Sequence, residues 1–202
     1  MNKNMSRWYD RFCNNKKPVK LLPKKPDATA LAYVAATLSY RASVLRALKL
    51  NGKTDEAKLA RQEGERLIVE FLCGVYHSNA TVDIDYVSGF WETMRTIYKN
   101  HQIDDYTYGN AQKWVHMSIK YYIVLLSRFD IPCSRLVDIP VFPVDRIMIN
   151  HIKNDLGIAF PGNWSDCDDA LSLKQYITDV NNKVRNIRGV SLFEYELNAW
   201  ES

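Results

Sequence analysis

Several things are missing from this chain, and each absence removes a class of function. No run of about 18 or more apolar residues occurs, so no membrane span is expected. No apolar stretch follows the amino terminus, so no secretory signal is expected and a cytoplasmic location is the natural reading. Cysteine is sparse and scattered: Cys13, Cys73, Cys133 and Cys167 form no CxxC and no paired spacing. That argues against a zinc site, an iron–sulfur cluster or a disulfide framework, and suits reduced thiols. His77, His101, His116 and His151 are equally dispersed, without HxxxH or HExxH. No metal and no cofactor are therefore expected. There is no GxxxxGK[ST] for a nucleotide triphosphate and no GxSxG for a serine hydrolase. No proline lies between Pro26 and Pro132, which leaves room for long helices.

What is present is ordinary globular material. The chain has 202 residues, 47% of them hydrophobic and 25% charged, enough to bury a real core. Its net charge of +4 is unevenly placed. Residues 1–25 hold eight lysines and arginines against Asp10 alone, a local charge of +7, which leaves −3 for the rest. Such a basic arm suits nucleic acid or another polyanion, or serves as a solvated tail. A division into a basic arm and linker, 1–26, and a helical domain, 27–202, with one lobe or two around a cleft, follows from this. Within the arm, residues 5–13 suit a short helix with Trp8 and Phe12 on one face. The stretch KKPVKLLPKKP reads as a wet linker in which prolines 18, 23 and 26 forbid a helix.

Beyond the arm, apolar residues recur at intervals of three and four. Asp27 is a good N-cap for a helix over about 28–50, which Asn51-Gly52 stops. Alanines on its second face mark that helix as central. Further helices are expected over about 54–76, 84–100, 110–128, 145–156 and 168–187. The helix over 110–128 is apolar nearly all round, so its distal half is buried. Asn163-Trp164-Ser165-Asp166 is a turn, and Gly189 ends the helix before it. Ser191 with Glu194 forms a capping box for a last helix ending near Trp200. No strand pattern and no repeat appear, so the fold class is all-α.

The informative stretch is 106–152, YTYGNAQKWVHMSIKYYIVLLSRFDIPCSRLVDIPVFPVDRIMINHI. A turn around Gly109 opens a helix carrying Lys113 in its first turn. Pro140 and Pro143 bracket an extended piece, after which Asp145 stands at the mouth of another helix. The two can converge on one cleft. A lysine amine, with a reference pKa of about 10.4, is neutral in roughly one molecule in a few thousand at pH 7. A nucleophilic lysine therefore needs partial desolvation or a positive neighbour, which a helix start supplies. Lys113 suits that role, or that of a surface lysine packing its stem on Trp114 or Met117. Asp145 reads as an N-cap. A carboxylate so held can also stabilise an oxocarbenium-like transition state, so cap and catalyst are compatible roles.

Lys113, Asp145 and the phrase IPVFPVDRIMI resemble the helix-hairpin-helix DNA glycosylases. The 32-residue separation is similar to that of the archaeal 8-oxoguanine DNA glycosylase branch, and related bacterial phage-defence glycosylases share the theme. The resemblance covers about 40 residues. It implies Lys113 as nucleophile and Asp145 as electrostatic stabiliser in excising a flipped base from double-stranded DNA, with or without lyase action, by a monomer. It places Gly109 and Asn110 at a hairpin that meets the DNA backbone, although the usual Gly-x-Gly is reduced to Gly109 here. It carries Glu196 and Trp200 over to the base pocket; a capped helix with an aromatic anchor is the other reading. Trp114, Met117 and Trp91 are further base-holding candidates, and Trp91 at helical spacing also suits the core. Lys16, Lys17, Lys24 and Lys25 are candidates for backbone contacts, and His116 is expected to be structural. Two other readings stand beside this one: a non-catalytic DNA-binding module and a helical protein-interaction module.

Overall fold

Helix α6, Tyr108–Arg128, is the axis on which the other elements are hung. The computed structural model describes residues 3–43, 54–78 and 80–200. Along the described chain the elements are α1 (Lys3–Phe12), α2 (Lys17–Lys20), α3 (Ala28–Ser43), α4 (Thr54–His77), α5 (Ile84–Asn100), α6, α7 (Ser134–Val137), α8 (Arg146–Leu156), a 3-10 turn (Trp164–Asp166), α9 (Ala170–Arg188) and α10 (Leu192–Ala199). No strand occurs among the described residues, and the fold is all-helical. None of the described helices is long and apolar enough to cross a membrane.

The local signals hold at most helix ends. Asp27 Oδ1 accepts from the Ala30 amide at 2.7 Å, and Ser191 and Glu194 form a capping box in which each side chain bonds the other's backbone. Asp145 caps α8 through the amides of Ile147 and Met148. Gly189 ends α9 with φ 65°, a left-handed position that costs glycine nothing. The stop expected at Asn51-Gly52, and the expected end of the first long helix near 50, lie outside the described residues.

The structure departs from the sequence reading at several places. Residues 17–20 form a single helical turn, because Pro18 sits in the first turn, where its missing N–H breaks no bond. The basic segment is not a loose tail: Met5, Trp8, Tyr9 and Cys13 are buried, and α1 packs on α6 and α10. Helix α3 does take the central place expected of it, packed along α6, although Tyr33 is exposed. Gly109 is no turn: Thr107 is the N-cap, and Gly109 lies inside the first turn of α6.

Helix α3 lies along α6 more extensively than any other described element. Ala32, Ala35, Ala36 and Ser39 make a small-residue face at helical spacing, all fully buried. Across it, Ser39 and Ser118 share a hydrogen bond of 2.6 Å, and Trp114 Nε1 donates to the Ala36 carbonyl at 3.2 Å. With α3, α5 and α1 around it, α6 is buried at every position from Gly109 to Leu126 but one. The exception is Lys113.

Candidate active site

Lys113 is the sixth residue of α6, in its second turn rather than its first. The helix-end dipole fades within the first turn, so it does not supply the positive field expected at this amine. Two other groups bracket it. Asp145 Oδ2 lies 3.3 Å from Lys113 Nζ, and the indole of Trp164 lies with its centroid 4.4 Å from the same atom. The two charged side chains are 13% and 11% exposed, so the pair is nearly covered without being sealed.

Asp145 divides its oxygens between two tasks. Oδ1 takes both amides at the start of α8, Ile147 at 3.0 Å and Met148 at 3.1 Å. Oδ2 is left to face Lys113. The carboxylate is thus fixed by the helix it caps, and its second oxygen is presented to the amine.

Two residues of α6 set this register. Gln112 donates to the Val144 carbonyl at 2.9 Å and accepts from the Val144 amide at 3.1 Å. It meets a buried strand-like segment as another strand's backbone would, and satisfies two groups that burial would otherwise leave unpaired. His116 Nδ1 donates to the Phe142 carbonyl at 2.7 Å, which places the proton on Nδ1. Burial lowers the His116 pKa to about 4, against a smaller opposing effect of the Phe142 bond. The segment Val141–Val144 is buried throughout. It is pinned to α6 one residue before Asp145, which explains why partners 32 residues apart in sequence meet.

Two turns along the same face of α6 lies a charge pair that the sequence reading missed. Lys120 Nζ bonds Glu196 of α10, and each side chain is only 2% exposed. The ammonium sits over the rings of Trp8 at 4.6 Å and Trp200 at 5.4 Å. Burial pushes the Lys120 amine down and the Glu196 carboxyl up, each opposed by the other's charge, and Asp145 acts on both. The signal in the sequence was the seven-residue step from Lys113, which returns to the same helical face. Trp8 and Trp200 also wall a surface groove of about 220 Å³ with Asn4, Arg7, Arg11, Phe12 and Leu197.

The remaining candidates fall elsewhere. Trp91 and Trp114 are fully buried core residues, and Met117 is buried one turn after Lys113. The Gly109 amide donates to the Cys167 carbonyl at 3.0 Å, and the Asn110 amide is held by Thr107 Oγ1 at 3.2 Å. Both residues are buried, so these amides are spent inside the protein rather than offered to a phosphate. Lys16, Lys17, Lys24 and Lys25 are exposed. Comparison with family models, with curated proteins and with solved structures gives no match.

Proposed function

We propose that this chain is a DNA glycosylase that cleaves the N-glycosidic bond of a damaged or modified base, with Lys113 as nucleophile and Asp145 as electrostatic stabiliser. The observation that carries the reading is the 3.3 Å contact between Lys113 Nζ and Asp145 Oδ2 at the one position that is not buried in the 109–126 stretch of α6. A carboxylate held rigidly by two amides and aimed beside an amine suits a reaction in which positive charge grows on a sugar. The basic segment supports the same reading, because it carries Arg7 and Arg11 onto an aromatic groove and keeps Lys16, Lys17, Lys24 and Lys25 in solvent. Arginines interleaved with aromatic rings suit a nucleic acid backbone and an unstacked base. Lys120 and Glu196 lie bonded to each other beneath Trp8 and Trp200, and would meet the edge of that base only if those rings moved aside.

The chemistry then runs as follows. The base is turned out of the duplex, at a cost of a few kcal/mol that a damaged pair lowers. Asp145 stabilises the sugar as the C1′–N bond lengthens. Lys113, as the free amine, bonds to C1′; the electron pair of the broken bond leaves with the base, which takes the proton Nζ gives up. Breaking C1′–O4′ with transfer of the remaining N–H proton to O4′ leaves a Schiff base. That imine can support β-elimination and a strand nick, and borohydride reduces it to a stable cross-link.

The test is a panel of duplexes with oxidised guanines and bulky modified cytosines, incubated with and without borohydride. The protein is expected to excise one class and to form a borohydride-stable adduct. Lys113→Gln is expected to lose the adduct and most excision. Asp145→Asn is expected to bind the substrate while excision falls about a hundredfold or more. Full activity in either variant removes that residue from the mechanism. DNA affinity without any adduct or excision leaves a binding module, and no affinity even at low salt, where phosphate contacts are strongest, ends the DNA reading.

A further inference from the structure

The 3-10 turn Trp164–Asp166 has no role in the reaction above, yet it is locked to the start of α6 with unusual tightness. Thr107 Oγ1, the N-cap of α6, donates to the Ser165 carbonyl at 2.8 Å, and the Gly109 amide donates to Cys167 O at 3.0 Å. A Cβ at Gly109 would stand 1.7 Å from the Trp164 carbonyl oxygen, so only glycine lets the two backbones meet. This fixed turn aims the Trp164 ring at Lys113 Nζ, 4.4 Å from its centroid. The ring is only half-buried, and the turn behind it is solvent-facing at Asn163 and Asp166.

We propose that Trp164 is a displaceable cap on the Lys113 amine, held closed by a cation–π contact when no substrate is bound. An attacked carbon must come within about 3–3.5 Å of Nζ. Asp145 closes one side of the amine, the buried body of α6 closes another, and the indole closes a third. Because the backbone of the turn is pinned, opening is a swing of the side chain, not of the loop. The cap accounts for a nucleophile that is only 13% exposed although it occupies the one position not buried between 109 and 126 of α6. It shields the amine from stray aldehydes and positions it against Asp145. This inference extends the glycosylase reading, but its first test does not depend on it.

That test is reductive methylation of the full chain by formaldehyde and cyanoborohydride without DNA, followed by mass spectrometry of peptides. Trp164→Ala is expected to raise the labelling rate of Lys113 roughly two- to fivefold, the worth of a partly exposed cation–π contact. Trp164→Phe keeps a ring and is expected to stay near the wild-type rate. The exposed Lys16 and Lys24 serve as internal standards. Gly109→Ala, which must push the turn off α6, is expected to mimic Trp164→Ala although it leaves the indole present. An unchanged Lys113 rate in Trp164→Ala, or a rate raised equally in Trp164→Phe, overturns the cap. Borohydride trapping on an abasic-site duplex is run in parallel. If labelling rises while neither protein forms an adduct there or excises a base from the duplex panel, the cap stands and the glycosylase reading fails.

Discussion

A glutamine and a histidine, neither of them a member of the Lys113–Asp145 pair, fix where Asp145 stands. Gln112→Leu would leave the Val144 N–H and C=O without the partners they now have. At about 1–3 kcal/mol for each of the two orphaned groups, a loss of roughly 2–6 kcal/mol is expected in urea unfolding, with a matching loss of excision. His116 adds a pH dependence whose sign follows from its burial. The folded chain holds the imidazole neutral down to about pH 4, whereas the unfolded chain takes up a proton below about pH 6.5. Stability from this group is therefore complete above pH 6.5 and drains away as the pH falls toward 4, by up to about 3 kcal/mol. Urea midpoints across that window should fall less steeply for His116→Gln than for the native chain.

At the level of helices, periodicity and capping chemistry were readable because both are local. The bounds of α5, the N-cap at Asp145 and the box at Ser191 and Glu194 each depend on residues within four positions of one another. The convergence of Lys113 and Asp145 was also readable, since a short proline-bracketed return leaves few places for a helix start to go. What stayed hidden depends on partners far along the chain. A glutamine reads as polar surface until a backbone 32 residues on is seen to need both ends of its amide. Lys120 reads as solvent-exposed by residue type, and only Glu196, 76 residues away, makes its burial tolerable. Glycine most often marks a turn, which is what Gly109 suggests in the sequence, whereas its place is set by the neighbour that touches it.

Across the whole molecule, the Lys120–Glu196 pair ties α6 to α10 beneath the ring of Trp8 from α1. Removing one charge strands the other in the interior. Lys120→Met is therefore expected to cost about 3–5 kcal/mol, whereas Lys120→Met with Glu196→Leu should recover much of that loss. Chemical denaturation of the two single variants and the double variant gives the coupling directly. If the pair reads a base, the double variant also loses selectivity between bases while keeping its fold.

The docking of α1 has a temporal cost. Asn4 bonds Asn198 at 2.6 Å, a contact spanning 194 positions, so a helix synthesised early can settle on α6 first and completes its seat only when α10 exists. At roughly 5–20 residues per second, Trp8 and Tyr9 wait about six to twenty-five seconds for the α6 residues they pack on, Tyr121 and Arg128. Over that interval the lysines and arginines around them are expected to keep nascent chains apart by mutual repulsion.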